Sequence, residues 1–153
     1  MYRVALFFHL LGALLFFSGI TVAGLASEVA RRRERASDVA VLLSISRLGA
    51  LLVAVGGLLL PIFGLWLVHL GHWGYGTGWI DWAIGLYVLA MLLGGVGGRR
   101  PKRARLCATA LAARGEPVNG ELASLLEDRV SRAVNYASLL VVLAILVLMV
   151  FKP

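Results

Sequence analysis

Four ionisable side chains lie within or directly beside apolar stretches, and they are the first candidates for chemistry in this sequence. His9 falls inside one apolar run, whereas His69 and His72 close a second run, three residues apart. Asp81 opens a third run. Neutral imidazoles ligate haem iron and copper, and a carboxylate can orient an imidazole or join a proton relay. We therefore take all four residues as candidate metal ligands, and His9 and His69 as candidate haem ligands.

Each of these residues also has an ordinary structural explanation. His9 can make a hydrogen bond inside a helix bundle, and His69 can lie at the interface between lipid and water. His72 belongs to a Gly-His-Trp-Gly segment that suits a solvated loop, and Asp81 can stabilise the start of a helix. The sequence therefore leaves three alternatives open for the cofactor, namely haem b, copper and none.

Motifs of known enzyme classes are missing from the sequence. It has no His-Glu-x-x-His, no Cys-x-x-Cys, no Gly-x-Ser-x-Gly and no glycine-rich phosphate loop followed by lysine. The one cysteine, Cys107, has no partner for an internal disulfide and is predicted to be an ordinary thiol. No catalytic residue is assigned, and the sequence favours a protein that is not an enzyme.

The elements that must position these residues are apolar runs. Of 153 residues, 60% are hydrophobic, and the mean hydropathy is +0.88. About 20 apolar residues in a helix cross the bilayer core, where every backbone amide needs a partner within its own segment. The sequence predicts an all-α, transmembrane four-helix bundle that forms a single domain, 1–153. The predicted spans are about 4–26, 48–70, 79–98 and 134–151.

Positive charge is distributed unevenly between the segments that join these spans. Segment 27–47 carries five basic residues and segment 99–133 carries eight, which together make 13 of the 15 lysines and arginines. The positive-inside rule then predicts that both segments are cytoplasmic loops and that both termini lie outside a bacterial cytoplasmic membrane. The net charge of +7 is explained by this topology, so nucleic acid is not an expected partner.

Other signals concern single helices and their contacts. Pro61 lies inside the second span, where its missing N–H should free the carbonyl of Gly57 and kink the helix. Segment 101–114 is predicted to form a short basic helix, and apolar spacing from Glu121 onward predicts that the fourth helix begins there. Stripes of small residues on the first two helices indicate close helix packing, and they also suit contact with a second copy or with other membrane subunits. The expected partners are thus the lipid bilayer and such subunits. Three functions stay open: a protein that binds haem b or a metal ion near its outer face, a non-catalytic subunit or assembly factor of a larger membrane complex, and a small oligomeric transporter.

The first three spans resemble those of a group of small four-helix membrane proteins. His9 is followed ten residues later by Gly19 across an apolar run, and the second span contains Leu-Pro-Ile-Phe-Gly at 60–64. The third span opens with Trp79. Over residues 5–98 the sequence is similar to an uncharacterised bacterial family of predicted integral membrane proteins, and more distantly to the copper-resistance protein D family and the HemJ-type protoporphyrinogen oxidases.

The resemblance implies a cofactor in the first helix. In the HemJ-type enzymes a first-helix histidine, which corresponds to His9, is thought to ligate haem, and a lysine of the third helix is important for function. This chain has no lysine in its third predicted span, and this departure speaks against oxidase activity. The resemblance to copper-handling proteins fits the histidines on the predicted outer side, but Met91 and Met149 each stand alone in their spans rather than in a methionine cluster.

Overall fold

Six helices make up the part of the chain that the computed structural model describes, which is residues 1–72, 78–97 and 99–151. In chain order they are α1 (Tyr2–Ala30), α2 (Ala36–Leu70), α3 (Gly78–Gly97), α4 (Arg99–Ala113), α5 (Gly120–Leu126) and α6 (Arg129–Phe151). No strand occurs in these described ranges. The predicted all-α class is therefore confirmed.

Helices α1 and α2 form an antiparallel pair with close backbone contact. A Cβ atom placed on Gly19 would lie 2.6 Å from the carbonyl oxygen of Gly49, and one on Gly56 would lie 2.6 Å from the carbonyl oxygen of Gly12. Small residues allow this approach, which maximises van der Waals contact where water provides no driving force. Near one end of the pair, the hydroxyl groups of Ser27 and Ser46 are 3.0 Å apart.

Helices α3 and α6 form the second pair, and an apolar cluster joins it to the first. Phe16 of α1, Ala90 of α3 and Val142 of α6 are all buried together. In addition, the Tyr87 hydroxyl of α3 donates a hydrogen bond to the carbonyl oxygen of Gly57 in α2. This is the carbonyl that Pro61 was predicted to free, because a proline four residues later has no N–H to offer it.

One end of the molecule carries a small core of its own, and we call it the basic end. Helix α2 has 35 residues and is about 52 Å long, which exceeds a ~30 Å hydrocarbon core. Helices α4 and α5 pack on the additional length of α2. The buried residues of this core are Ala30, Ala36, Val39, Leu43, Ala104, Ala108, Leu111, Leu122 and Leu126.

Long-range hydrogen bonds hold the basic end together. The Arg31 guanidinium donates from Nε to the carbonyl oxygen of Leu126 (2.8 Å) and from Nη1 to the Glu28 carboxylate (2.7 Å). The backbone N–H of Val118 donates to the carbonyl oxygen of Glu34 at 3.1 Å. Helix α5 is capped at its start by the Asn119 side chain, which accepts from the backbone N–H of Leu122.

The opposite end, which we call the terminal end, holds Met1 and Phe151. Among the described residues, four helices have the length and composition to cross a membrane, namely Tyr2–Ala30, Ala36–Leu70, Gly78–Gly95 and Arg132–Phe151. Their outer faces are apolar: Leu14, Leu58 and Leu140 each leave about two thirds of their surface exposed. A soluble protein rarely exposes such a continuous apolar surface, and lipid is the environment that accepts it. The protein is a multi-pass integral membrane protein.

The segments predicted as cytoplasmic loops, 27–47 and 99–133, contain the ends of α1 and α2, all of α4 and α5 and the first residues of α6. The short helix predicted at 101–114 is confirmed by α4, which packs on α2. The prediction that the fourth helix begins at Glu121 is wrong. Helix α5 ends at Leu126 and α6 begins at Arg129, and the free Leu126 carbonyl at the end of α5 accepts a hydrogen bond from Arg31. The end of the predicted third span, residue 98, lies outside the described residues.

Candidate cofactor site

His9 lies between α1 and α2 in the half of the bundle nearer the terminal end. Its ring occupies the space beside Gly64, where a Cβ atom would come within 3.2 Å of Cε1 and 3.3 Å of Nδ1. The ring is half-buried. A larger side chain at position 64 would displace the imidazole, so the glycine sets the position of the ring.

The hydrogen bond of His9 fixes its tautomer. Nδ1 lies 3.0 Å from the carbonyl oxygen of Leu60. A carbonyl oxygen only accepts, so Nδ1 must carry the proton, and in the neutral ring the lone pair is then on Nε2. Metal-bound histidines commonly have this arrangement, with the second ring nitrogen donating to a backbone carbonyl.

The bond to Leu60 lies next to the proline of α2. Two neighbouring helices bond to carbonyl groups of the segment around Pro61: Tyr87 of α3 bonds Gly57, and His9 of α1 bonds Leu60. The Gly57 carbonyl needs a partner from outside its helix when lipid surrounds it, because Pro61 has no N–H to donate. His9 and the freed Gly57 carbonyl are evident from the sequence, whereas Tyr87 is not, because a lone tyrosine in an apolar span carries no signal of its partner.

The other three candidate residues lie near the terminal end and are exposed. His69 is in the last turn of α2, and His72 follows that helix with a backbone φ of 54°. Asp81 is in the first turn of α3, where a carboxylate stabilises the helix dipole. His69 lies five residues after Gly64, the residue that contacts His9. Five residues correspond to a rotation of about 140° around the helix axis. His69 therefore lies on a different face of α2 from the one that contacts His9.

No group of three or more histidine, cysteine or carboxylate side chains close enough to hold a metal ion occurs among the described residues. The structure places His9 in a helix contact and leaves His69, His72 and Asp81 on the surface. Whether any of them binds a metal or haem stays a prediction. Residues 73–77, between His72 and α3, lie outside the described ranges.

Cys107 of α4 lies at the basic end, far from these residues in the fold. Burial, and then the charge of Glu121, raise the pKa of its thiol above the ordinary value. A raised pKa lowers the thiolate fraction at neutral pH, and the thiolate is the reactive and ligating form. This agrees with the interpretation of Cys107 as an ordinary thiol.

Comparison with known proteins places the whole chain in one family. Residues 3–153 match the family described as "Predicted integral membrane protein (DUF2269)". Neither the curated proteins nor the solved structures gave a match. The predicted resemblance to an uncharacterised family of integral membrane proteins is confirmed, whereas the more distant relation to the copper-resistance and HemJ-type families stays a prediction. With four apolar helices and a family match over nearly its full length, the chain belongs to the DUF2269 family of predicted integral membrane proteins.

Proposed function

We propose that this protein binds haem b within the membrane and that His9 would hold the haem through Nε2. The observation that carries the proposal is the 3.0 Å contact between His9 Nδ1 and the carbonyl oxygen of Leu60. It assigns the proton to Nδ1 and leaves the Nε2 lone pair for a ligand. The haem would supply one-electron redox chemistry, and the role of the chain is to bind and orient it.

The packing of His9 supports a ligand with a fixed orientation. Gly64 gives the ring room against α2, and the bond to Leu60 restrains its rotation. Such restraint keeps a ligand in place when the iron changes its oxidation state. His9 is half-buried rather than fully enclosed.

The number of available ligands favours haem over copper. A haem iron takes four ligands from the porphyrin and needs one or two from the protein, whereas protein copper sites draw their ligands from several side chains. Within residues 1–72, 78–97 and 99–151, no three histidine, cysteine or carboxylate groups are close enough for such a site. One restrained imidazole suits the haem alternative better.

The orientation of the protein is part of the same proposal. The basic end carries the 31–35 turn together with α4 and α5, and the positive-inside rule predicts that it lies in the cytoplasm of a bacterial cell. His9 then lies in the outer half of the cytoplasmic membrane. A haem held there would exchange electrons with partners on the outer side or within the membrane.

The test is an absorption spectrum of the purified protein, oxidised and then reduced with dithionite, together with elemental analysis for iron and copper. The wild-type protein and His72→Ala should both show a Soret band and reduced α and β bands. His9→Ala should lose them while eluting normally in size-exclusion chromatography. His72 is the matched control, because it is an exposed histidine near the same end. A wild-type spectrum without a Soret band after expression with added haem would overturn the proposal, and bound copper without haem would do so as well.

A further inference from the structure

Arg47 is an exposed cation at the depth where the apolar run of α1 ends. A Cβ atom on Gly49 would lie 2.6 Å from the backbone nitrogen of Ala23, and the hydroxyl groups of Ser27 and Ser46 are 3.0 Å apart. In α2, Arg47 lies between Ser46 and Gly49. Arg47 is therefore level with the turn of α1 between Ala23 and Ser27, where the hydrocarbon core gives way to lipid headgroups.

The surface next to Arg47 is apolar on the side of the membrane. Leu48 and Leu51 follow it in α2, and they leave 57% and 53% of their surface exposed. Leu51 is four residues after Arg47 and so lies beside it on the helix surface. In the described part of the chain, no hydrogen bond or ion pair engages the guanidinium of Arg47. Its stem can lie on the apolar surface while the guanidinium reaches the headgroups.

Helix α4 brings two further cations to the same depth. Pro101 lines a small cavity together with Leu43, and Pro117 pairs with the residue that precedes α2. The chain from Pro101 to Pro117 thus runs along α2 away from the membrane, and the first turn of α4 lies beside the membrane boundary. Lys102 and Arg103 of this turn are both exposed.

Helix α6 is the third helix at this junction. Asn135 lines the same cavity as Pro101. Arg132 is exposed and lies three residues earlier in α6, on the same side of the helix. We call the exposed cations around this junction the cationic belt, which comprises Arg47, Lys102, Arg103 and Arg132.

Carboxylates do not neutralise the cationic belt. Glu28 is already paired with Arg31 at 2.7 Å and with Arg32 at 3.5 Å. Only Glu127 and Asp128, in the turn before α6, are close to the belt in the sequence, so positive charge remains in excess. The other carboxylates of the basic end lie farther from the membrane, around the start of α2 and the start of α5: Glu34, Asp38, Glu116 and Glu121.

We infer that the cationic belt binds a phospholipid whose headgroup has a net negative charge, with Arg47 on the lipid phosphate. A guanidinium binds phosphate through two parallel N–H···O bonds. The acyl chains lie along Leu48 and Leu51, and the excess of positive charge favours phosphatidylglycerol over the zwitterionic phosphatidylcholine. This inference goes beyond the proposed haem site and concerns the opposite end of the bundle.

The depth of the belt favours a lipid over a soluble anion or an acidic protein. A soluble anion gains only from charge, whereas a lipid also covers the apolar surface that begins at Leu48. The positive-inside rule explains why cations gather at this end, but it does not distinguish one position from another. Lipid binding does distinguish them: Arg47 lies at the membrane boundary, whereas Arg33 lies in the turn beyond the end of α1.

The test is native mass spectrometry of the full chain in detergent, titrated with phosphatidylglycerol or with phosphatidylcholine of the same acyl chains. The wild-type protein should bind the first phosphatidylglycerol at least several-fold more tightly. Arg47→Gln should lower this affinity by roughly fivefold, the usual contribution of one cation near an anionic headgroup, and leave phosphatidylcholine binding unchanged. Arg47→Lys should retain most of the preference. Arg33→Gln is the matched control, because it removes the same charge from an exposed position, and it should behave as the wild type.

Several outcomes would contradict the inference. They are equal affinities of the wild-type protein for the two lipids, and equal losses in Arg47→Gln and Arg33→Gln, which would make net charge the cause. Displacement of the lipid by inorganic phosphate at constant ionic strength would indicate a site for a free anion. Binding of polyglutamate through Arg47, without a preference for phosphatidylglycerol, would indicate an acidic protein partner instead. His9→Ala should bind phosphatidylglycerol as the wild type does, so the result does not depend on the haem proposal.

Discussion

At the scale of single residues, glycine determines how closely α1 and α2 approach each other. A Cβ atom on Gly19 would lie 2.6 Å from the Gly49 carbonyl oxygen and 2.7 Å from the Val53 backbone nitrogen, whereas a Cβ on Gly24 has nothing within 4 Å. Both glycines are in α1. We expect Gly19→Ala to lower the free energy of unfolding by roughly 1–3 kcal/mol, because backbone atoms must move apart.

Gly24→Ala is the matched control for this prediction. It introduces the same methyl group into the same helix, and it should be neutral or should stabilise by up to about 1 kcal/mol through helix propensity. Unfolding of both variants in one detergent, followed by circular dichroism, measures the difference. Equal unfolding midpoints for the two variants would contradict the close backbone contact between α1 and α2.

The hydrogen bond of Tyr87 compensates for the N–H that Pro61 lacks. The Tyr87 hydroxyl satisfies the Gly57 carbonyl, which lacks a helical partner because residue 61 is proline. Tyr87→Phe should therefore lower the free energy of unfolding by on the order of 1 kcal/mol. In a Pro61→Ala background the new N–H of residue 61 can bond the Gly57 carbonyl, so Tyr87→Phe should lower the free energy of unfolding by less. A double-mutant cycle measures this coupling, and additive effects would show that it is absent.

At the scale of elements, Arg31 holds α5 against the rest of the basic end. Its guanidinium joins the Leu126 carbonyl at the end of α5 to the Glu28 carboxylate of α1, and its side chain is only 15% exposed. Arg31→Ala should loosen α5. Amide hydrogen exchange in Gly120–Leu126 should become at least several-fold faster, because α5 has only seven residues and depends on packing.

The exposed Arg33 is the control, two residues away in the same turn. Arg33→Ala removes the same charge but touches neither the Leu126 carbonyl nor Glu28, so exchange in α5 should not change. Faster exchange in both variants would mean that net charge, rather than the hydrogen bonds of Arg31, keeps α5 in place.

The membrane helices could be predicted from the sequence because lipid imposes a simple rule. Long apolar runs must be helical, and four helices of the described residues are long and apolar enough to cross a membrane. The basic end could not be predicted in the same way. Where α5 ends, the Leu126 carbonyl accepts a hydrogen bond from Arg31, which is 95 residues away in the sequence. A contact of that kind leaves no trace in local periodicity.

The candidate site, too, could be predicted only in part from the sequence. His9 stands out in the sequence because an ionisable group within an apolar span is costly and rare. Its partner, the Leu60 carbonyl, could not be identified, since a backbone group carries no residue-type signal. The register of α1 against α2 was needed first, and it is set by the close contacts of glycines such as Gly12 and Gly56.

At the scale of the whole molecule, the distribution of charge predicts the orientation in the membrane. In a Cys107→Ala background, Ser37→Cys places a thiol at the exposed basic end, and Tyr2→Cys places one at the terminal end. Neither change alters the charge. A membrane-impermeant maleimide applied to intact bacterial spheroplasts should label only the cysteine at position 2. Labelling at position 37 before lysis would reverse the proposed orientation.

The proposed function requires that the helices accommodate haem, and titration of haemin into the purified protein tests this requirement most directly. Difference absorbance should saturate at one haem per wild-type chain and give a Soret band. His9→Ala should show only weak, non-saturating uptake into the detergent micelle. If the two proteins give the same titration curve, His9 is a structural residue that bonds Leu60, and the proposed haem site is wrong.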